Sequence, residues 1–286
     1  MNVFAVIVTY NAMRWAGKSI SSLYRSTCCP YRIIVIDNSS SDGTPEYVNA
    51  TFPDVELIRM DSNIGFAASA RVGVDKAVGS GADAVLLMHH DVWLAPDALE
   101  VLEGNCTDDS LLVPVYMNGP GSDYETSFRS VIRHSGRLRK TLPGSAGGRS
   151  CYKIPVRNVP YGCWFIPVPL INEIGFLNPL FFCSGASEEY LARMRCRSKK
   201  AFVVTGAKIF HDRDSYGDRT LYDTSLIYRD LLLIECDPGK TKTGRVVSRA
   251  LLLAGLVRKS LHYRVNLLPF YFKDRRRIKG KNTIIN

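Results

Sequence analysis

Four short apolar runs in the first hundred residues each stop on a polar end: "VFAVIVTYN" at 3–11, "RIIVIDNSSSDGT" at 32–44, "VELIRMDSNIGF" at 55–66 and "ADAVLLMHHD" at 82–91. Between them lie segments of helical length, at 14–25, from 44 to 50 and after the turn at 61–65. A strand-helix unit repeating about every thirty residues predicts a parallel sheet with right-handed crossovers. In such a sheet, ligands settle in the crevice beyond the carboxyl ends of the strands. Every one of these ends is rich in Asn, Asp, Ser, Gly or His, so the pattern predicts a ligand-binding rim.

Beyond residue 100 the pattern loosens. Residues 117–155 are polar, glycine-rich and poorly periodic, and read as a long functional or disordered loop. "VPYGCWFIPVPLINEIGF" returns to strand and helix, and "AFVVTGAKIFHD" reads as a last core strand. The 286 residues, 46% hydrophobic, suit one large α/β domain with an appendage, and no apolar window is long enough to span a bilayer. The first residues lack the basic flank and cleavage site of a secretory signal. Eight cysteines without a C-x-x-C framework read as reduced thiols. Of 37 basic residues thirteen fall between Lys240 and Lys281 against one acid, Asp274, so the tail carries the whole net charge of +10. A nucleic-acid footprint would lie on the folded body, and none is expected. The tail mixes Leu, Phe and Tyr with Lys and Arg, the composition of a helix on anionic lipid or of a basic helical cap.

Histidines are costly to bury, so the end of "LLMHHD" admits a metal site, a hydrogen-bonded structural pair or a loop. Neighbours in a strand point to opposite faces. His89 and His90 therefore cannot readily clasp one ion, whereas His89 and Asp91 can face one crevice, with His90 behind the strand. Tyr10 offers a ring face to a base, and Thr9 and Asn11 offer short polar contacts. Asn63 and Gly65 suit an unusual turn close to a ligand. Asp37 is an acceptor that either meets an imide N–H or caps the turn after its strand.

Seven segments occur in an order that resembles the glycosyltransferase family 2 enzymes of the nucleotide-sugar-binding GT-A fold. They are "VIVTYN" (6–11), "IIVIDNSSSDGT" (33–44), "NIGFAASARVG" (63–73), "LLMHHDVWLAPDAL" (86–99), "YGCWFIPVPLINEIGF" (161–176), "LFFCSGASEEYLARMR" (180–195) and "IFHDRDS" (209–215). Within the family the chain looks most like bacterial rhamnosyl- and galactofuranosyl-type transferases of surface-polysaccharide synthesis. The resemblance implies an α/β fold with a mostly parallel central sheet flanked by helices over 1–235, nucleotide-binding over 1–100 and acceptor-binding over 101–235, followed by the basic extension 236–286. It implies an inverting, metal-dependent hexosyltransferase that moves a sugar from a UDP- or dTDP-linked donor to a glycan or lipid-linked glycan. Location would be cytoplasmic, with the tail on the inner membrane face.

By the same resemblance, Thr9, Tyr10, Asn11, Asp37, Asn38, Asn63 and Gly65 hold the nucleotide sugar, and Arg71 reaches its diphosphate or is a solvated helix-face residue. Asp91 matches the last Asp of the family's Asp-x-Asp motif and His89 its first position. His211 completes the shell of a magnesium or manganese ion, with Asp212 and Asp214 as alternatives. The segment "YGCWF" (161–165), with Gly162 and Cys163, lines the floor between donor sugar and acceptor, and Trp164 stacks on a sugar or belongs to the core. Glu189 is the general base, Glu188 orients the acceptor, and Arg195 matches a basic position on the same helix. Two other readings compete: a sugar nucleotidyltransferase, which would need a glycine-rich basic loop after the first strand, and a non-catalytic nucleotide-sugar-binding relative.

Overall fold

The computed structural model describes residues 1–142, 151–182, 184–213 and 225–281. Cys183 and Asp214 lie outside them. The alternating start of the chain becomes β1 (Val3–Thr9), α1 (Ala16–Tyr24), β2 (Arg32–Asp37), α2 (Thr44–Thr51), β3 (Glu56–Arg59), α3 (Phe66–Gly79) and β4 (Ala84–His89). All seven residues of β1 are buried, as expected of a central strand covered on both faces. It pairs in parallel with β2 and with β4, and β2 pairs in parallel with β3.

The remaining strands are β5 (Val92–Leu94), β6 (Ser110–Asn118), β7 (Lys153–Val156), β8 (Cys163–Pro167) and β9 (Lys200–His211), with α4 (Ala98–Gly104) and α7 (Val168–Ile174) between them. Among the described residues they extend one sheet in the order β3-β2-β1-β4-β8-β6-β9-β5, with β7 also on β9. Beyond β4 the sense of pairing changes. β8 is antiparallel to β4 and β6, β6 is parallel to β9, and β5 and β7 are antiparallel to β9. The sheet is parallel on the nucleotide side and mixed on the other.

The segment read as a long loop is largely structured. It contains α5 (Thr126–His134), α6 (Gly136–Thr141) and β7, while 143–150 lie outside the described residues. The Glu125 carboxylate caps α5 by accepting from the backbone N–H groups of Ser127 and Phe128, at 2.8 and 3.0 Å. Ser135 caps α6 through the Leu138 N–H. Phe128 is the one buried residue of α5 and Leu138 the one of α6; Phe128, Val131 and Ile132 keep the i, i+3, i+4 spacing of a helix, within a segment whose flanks are rich in Gly and Ser.

The C-terminal part forms α8 (Ala186–Cys196), α9 (Ser225–Cys236), α10 (Lys242–Tyr263) and α11 (Leu268–Lys281). Leu256, Leu267, Tyr271 and Ile278 are buried with Ile227, Leu231 and Leu232 of α9, and Arg249 meets Glu235 at 2.8 Å. The basic extension is therefore docked on one side. Its other side is exposed: at 100° per residue, Val246, Val247, Ala250, Leu251, Ala254, Val257 and Leu261 fall within an arc of about 140° on α10, which Arg258 shares. Leu251 is 69% and Leu261 77% exposed. Among the described residues no helix is long and apolar enough to cross a membrane. The seven described cysteines are free.

Candidate active site

Strand register assembles the site. Thr9 of β1 lies beside Asp37 of β2, and Val8 beside His89 of β4. The His89 N–H donates to the Gly162 carbonyl just before β8. His211 ends β9 opposite both Asn118 and Val92. A cavity of about 1170 Å³ lies over these ends. Tyr10, Asn38, Asn63 and Gly65 line one end of it. The Asn38 amide donates to Asn63 Oδ1 at 2.9 Å, and Asn38 Oδ1 accepts from the Ile64 N–H at 3.0 Å. Gly65 has φ 84°, and a Cβ there would stand 2.6 Å from the Phe182 carbonyl oxygen. Only glycine lets these two loops close on each other.

His89, Asp91 and His211 meet at the cavity floor. Asp91 Oδ2 is 3.3 Å from His211 Nε2, and Asp91 Oδ1 is 3.9 Å from His89 Nδ1. The two residues of the "HHD" end do face each other, although not by strand alternation. β4 stops at His89, residues 90 and 91 turn, and β5 pairs with β9 to bring Asp91 under His211. His90 also borders the cavity, with Nδ1 3.2 Å from the Val8 carbonyl oxygen and its ring against Trp15. Burial pushes the His89 imidazole down to about 3. Burial works to raise the Asp91 carboxyl, but the His211 hydrogen bond and the neighbouring imidazoles outweigh it and hold the group below the usual carboxylate range.

Asp91 Oδ1, His89 Nε2 and His211 Nδ1 are buried without a hydrogen-bond partner. Each imidazole turns its other nitrogen to Asp91, so Asp91 Oδ1 is the orphaned atom inside the cluster, and it calls for a missing partner. No group of three or more His, Cys, Asp or Glu is placed to hold a metal by itself among the described residues. The donor set fits a hard divalent ion that takes one carboxylate, an imidazole beside it, and its remaining oxygens from a bound ligand and water. Asp212 is engaged elsewhere: its carboxylate accepts from Trp15 Nε1 at 3.0 Å and lies 3.4 Å from Arg14.

The two glutamates at the start of α8 divide opposite to expectation. Glu188 is exposed on the cavity wall, accepting from Ser187 Oγ at 2.6 Å. Glu189 is buried away from the cavity. It accepts from Arg193 Nε at 2.7 Å and Nη2 at 3.0 Å, and Arg193 also donates to the carbonyl oxygens of Ile174 and Phe176. This fork ties one turn of α8 to the end of α7 and engages both Glu189 carboxylate oxygens. Among the described cavity residues the only carboxylates are Asp91 and Glu188.

Other expected residues separate into those at the cavity and those beneath or away from it. Gly162 lines the cavity. Asp37 is fully buried, and its carboxylate closes the following turn by accepting from the Ser40 N–H at 3.0 Å, from Ser40 Oγ and from Thr9 Oγ1 at 3.1 Å. It caps rather than lines, and Thr9 is buried with it. Asn11, at φ 47°, holds the Ser41 N–H from outside the cavity. Arg71 sits on the solvent side of α3, 3.5 Å from Asp75. Cys163 and Trp164 are core residues. Burial pushes the Cys163 thiol up, and Trp164 Nε1 donates to the Pro160 carbonyl at 2.8 Å. Arg195 donates to the Arg157 carbonyl oxygen and does not reach the cavity.

Tyr161, from the segment expected at the floor, packs on the His89 ring at 4.9 Å between centroids. Sequence reasoning missed three parts of the wall. Phe66 packs on the same ring at 4.2 Å. Arg157 and Arg213 border the cavity. Ser127, Ser130, Val131 and His134 face it from α5, a spacing of i, i+3, i+4 and i+7 that is legible once the helix is known.

A rim of parallel strand ends, closed by a mixed half-sheet that carries a carboxylate-imidazole cluster and a second carboxylate, defines a nucleotide-sugar-transferase type of fold. The model of Glycosyl transferase family 2 matches residues 4–175, and the chain belongs to that family. It is 24% identical to the low-salt glycan biosynthesis hexosyltransferase Agl10 of Haloferax volcanii, over 66% of this chain and 60% of that protein. It is 30% identical to the uncharacterized glycosyltransferase YwdF of Bacillus subtilis, over 35% of this chain and 36% of that protein. The N-acetylglucosaminyl-diphospho-decaprenol L-rhamnosyltransferase of Mycobacterium tuberculosis is 26% identical over 34% of each chain. The chain thus spans between a third and three-fifths of these curated relatives. Among solved structures, GalNAc-T7 with UDP, GalNAc and Mn2+ superposes with TM-score 0.61 at 15% identity, covering 82% of this chain and 48% of that one. Staphylococcus aureus TarS 1-349 with UDP-GlcNAc superposes with TM-score 0.60 at 14% identity, covering 96% and 79%. Both are glycosyltransferases of GT-A fold, the architecture expected here.

Proposed function

We propose that this glycosyltransferase moves a hexosyl group from a UDP- or dTDP-linked donor to a hydroxyl of a glycan or lipid-linked glycan, with inversion at the anomeric carbon. The observation that carries the reading is the pairing, in one cavity, of Asp91 with its imidazoles and, among the described residues, a single further carboxylate, Glu188. An attacking hydroxyl must lose its proton as it bonds to the anomeric carbon, and a positioned carboxylate is the expected acceptor. Glu188 takes that role, with Ser187 Oγ steadying one oxygen; Glu189 is the anchor of α8. One nucleophile attacking in line opposite the leaving group inverts the centre.

Tyr10, Asn38, Asn63 and Gly65 hold the nucleotide end, with Asp37 shaping that end from beneath. A divalent ion at Asp91 with His211 or His89 would offset the charge of the departing diphosphate; manganese suits the imidazole content. Arg213, two residues past His211, adds positive charge at the same end. The exposed apolar arc of α10 and the surrounding Lys and Arg support contact with an anionic membrane on the cytoplasmic side, where a lipid-linked acceptor would be met. The test is a panel of nucleotide sugars incubated with the pure protein and manganese, read by release of the nucleoside diphosphate and by the anomeric configuration of the product. Release that survives Glu188→Gln at full rate overturns the assignment of the base. No release or binding with any uracil or thymine donor overturns the transferase reading.

A further inference from the structure

The donor end occupies only part of the cavity. Its volume of about 1170 Å³ exceeds the range of roughly 300–1,000 Å³ that encloses one compact ligand. The opposite wall is formed by α5 and by the segment after β7, where Arg157 and Asn158 line the space. Arg157 is exposed, and among the described residues its guanidinium forms no ion pair. Arg195 reaches from α8 to the Arg157 carbonyl oxygen at 3.2 Å, so a second guanidinium stands behind the first. Burial, and next the charge of Arg157, pull Arg195 below its usual range. Asp237 offsets part of the Arg195 charge, whereas Arg157 at the cavity has no ion-pair partner among the described residues, so an anion is stabilised there, and the planar fork matches phosphate oxygens in pairs.

The α5 face supplies the neutral contacts. His134 Nδ1 lies 2.7 Å from the Ser130 carbonyl oxygen, which makes Nδ1 the donor there and leaves Nε2 for a ligand. Ser127 and Ser130 border the same space.

We propose that this wall is an acceptor site for a sugar carried on a diphosphate: Arg157 binds the diphosphate, with Arg195 reinforcing its charge, and Ser127, Ser130 and His134 take hydroxyls of the sugar. The proposal rests on the sugar-transfer reading and locates a second diphosphate site, apart from the donor's beside Asp91. To test it, protein saturated with UDP and manganese is titrated calorimetrically with farnesyl diphosphate, with farnesol and inorganic pyrophosphate as separate arms. Farnesyl diphosphate is expected to bind without displacing UDP, pyrophosphate to bind more weakly, and farnesol not at all. Arg157→Gln should weaken farnesyl diphosphate about ten- to a hundredfold while leaving UDP affinity unchanged, and Arg157→Lys should lose less. Equal binding by wild type and Arg157→Gln, or binding only by displacement of UDP, overturns the proposal. If UDP itself does not bind, the sugar-transfer reading fails instead, and the same titration of the UDP-free protein still reads the Arg157 dependence.

Discussion

At the donor end of the cavity Thr9, Asp37, Ser40, Asn38 and Asn63 are joined by hydrogen bonds into one largely buried network, whereas at the acceptor end Glu188, His134 and Arg157 reach the space from three separate elements. The contrast follows from the sheet. The donor end rests on parallel strands whose register is shared from β3 to β4, so a polar residue at one strand end has a partner at the next. The acceptor end stands on two helices and a strand-to-strand connection, where each side chain depends on its own element. A preformed network holds a constant part of the ligand, the nucleotide. Independent side chains can change with the acceptor without disturbing the core.

The largest effect that would sharpen this contrast is at Asp91. Asp91→Ala should abolish manganese-dependent UDP binding in calorimetry, while His90→Ala, whose ring is held by Val8 and Trp15, leaves it nearly intact. Equal losses would erase the distinction between the two sides of the "HHD" turn. Next comes the acceptor end. Glu188→Gln keeps volume but cannot take a proton, so kcat should fall by about 10²–10⁴-fold with UDP affinity hardly changed. Initial rates with a fixed donor measure it; a donor-affinity loss of similar size would show that Glu188 belongs to the donor end.

Glu189→Gln should act on stability instead. Removing one partner of a buried pair costs about 3 kcal/mol or more, partly offset here because Arg193 keeps its bonds to Ile174 and Phe176. Denaturant unfolding reads this. A normal midpoint with lost turnover would reverse the roles given to the two glutamates. The smallest effect lies farthest from the cavity: Leu251→Asp with Leu261→Asp should weaken co-sedimentation with anionic vesicles at least about tenfold, since each leucine buried in lipid contributes roughly 1.5–3 kcal/mol. Melting temperature should not change, because both side chains are exposed. Unchanged sedimentation would leave α10 as a cap alone.

Much of the donor end was legible because it is local. Runs of β-branched residues that end in "TYN", "DNSS" and "DSNIGF" announce both the strands and the rim. Asp37 shows the limit: a carboxylate at a strand end has two plausible partners, a ligand or its own turn, and Ser40 and Thr9 satisfy it in the fold. The acceptor wall was hidden for a different reason. α5 has the apolar spacing Phe128, Val131, Ile132 over little more than two turns, and the Gly- and Ser-rich sequence on both sides of it reads as loop.

Adjacent residues on a helix differ by about 100° in direction, so "EE" at 188–189 carries no sign of which carboxylate meets solvent. Arg193, one turn on, offers a partner to Glu189, and the packing of Tyr190 and Met194 into the core turns that side of α8 inward. The sequence by itself determined the alternating elements, the polar strand ends and the identity of the groups available for chemistry, since these depend on near neighbours. Only the tertiary structure decided which groups meet. Asp91 and His211 are 120 positions apart, and their approach to 3.3 Å follows from the antiparallel pairing of β5 on β9. Which strand β5 meets is decided by contacts between segments distant in sequence, and burial of one face then fixes the register.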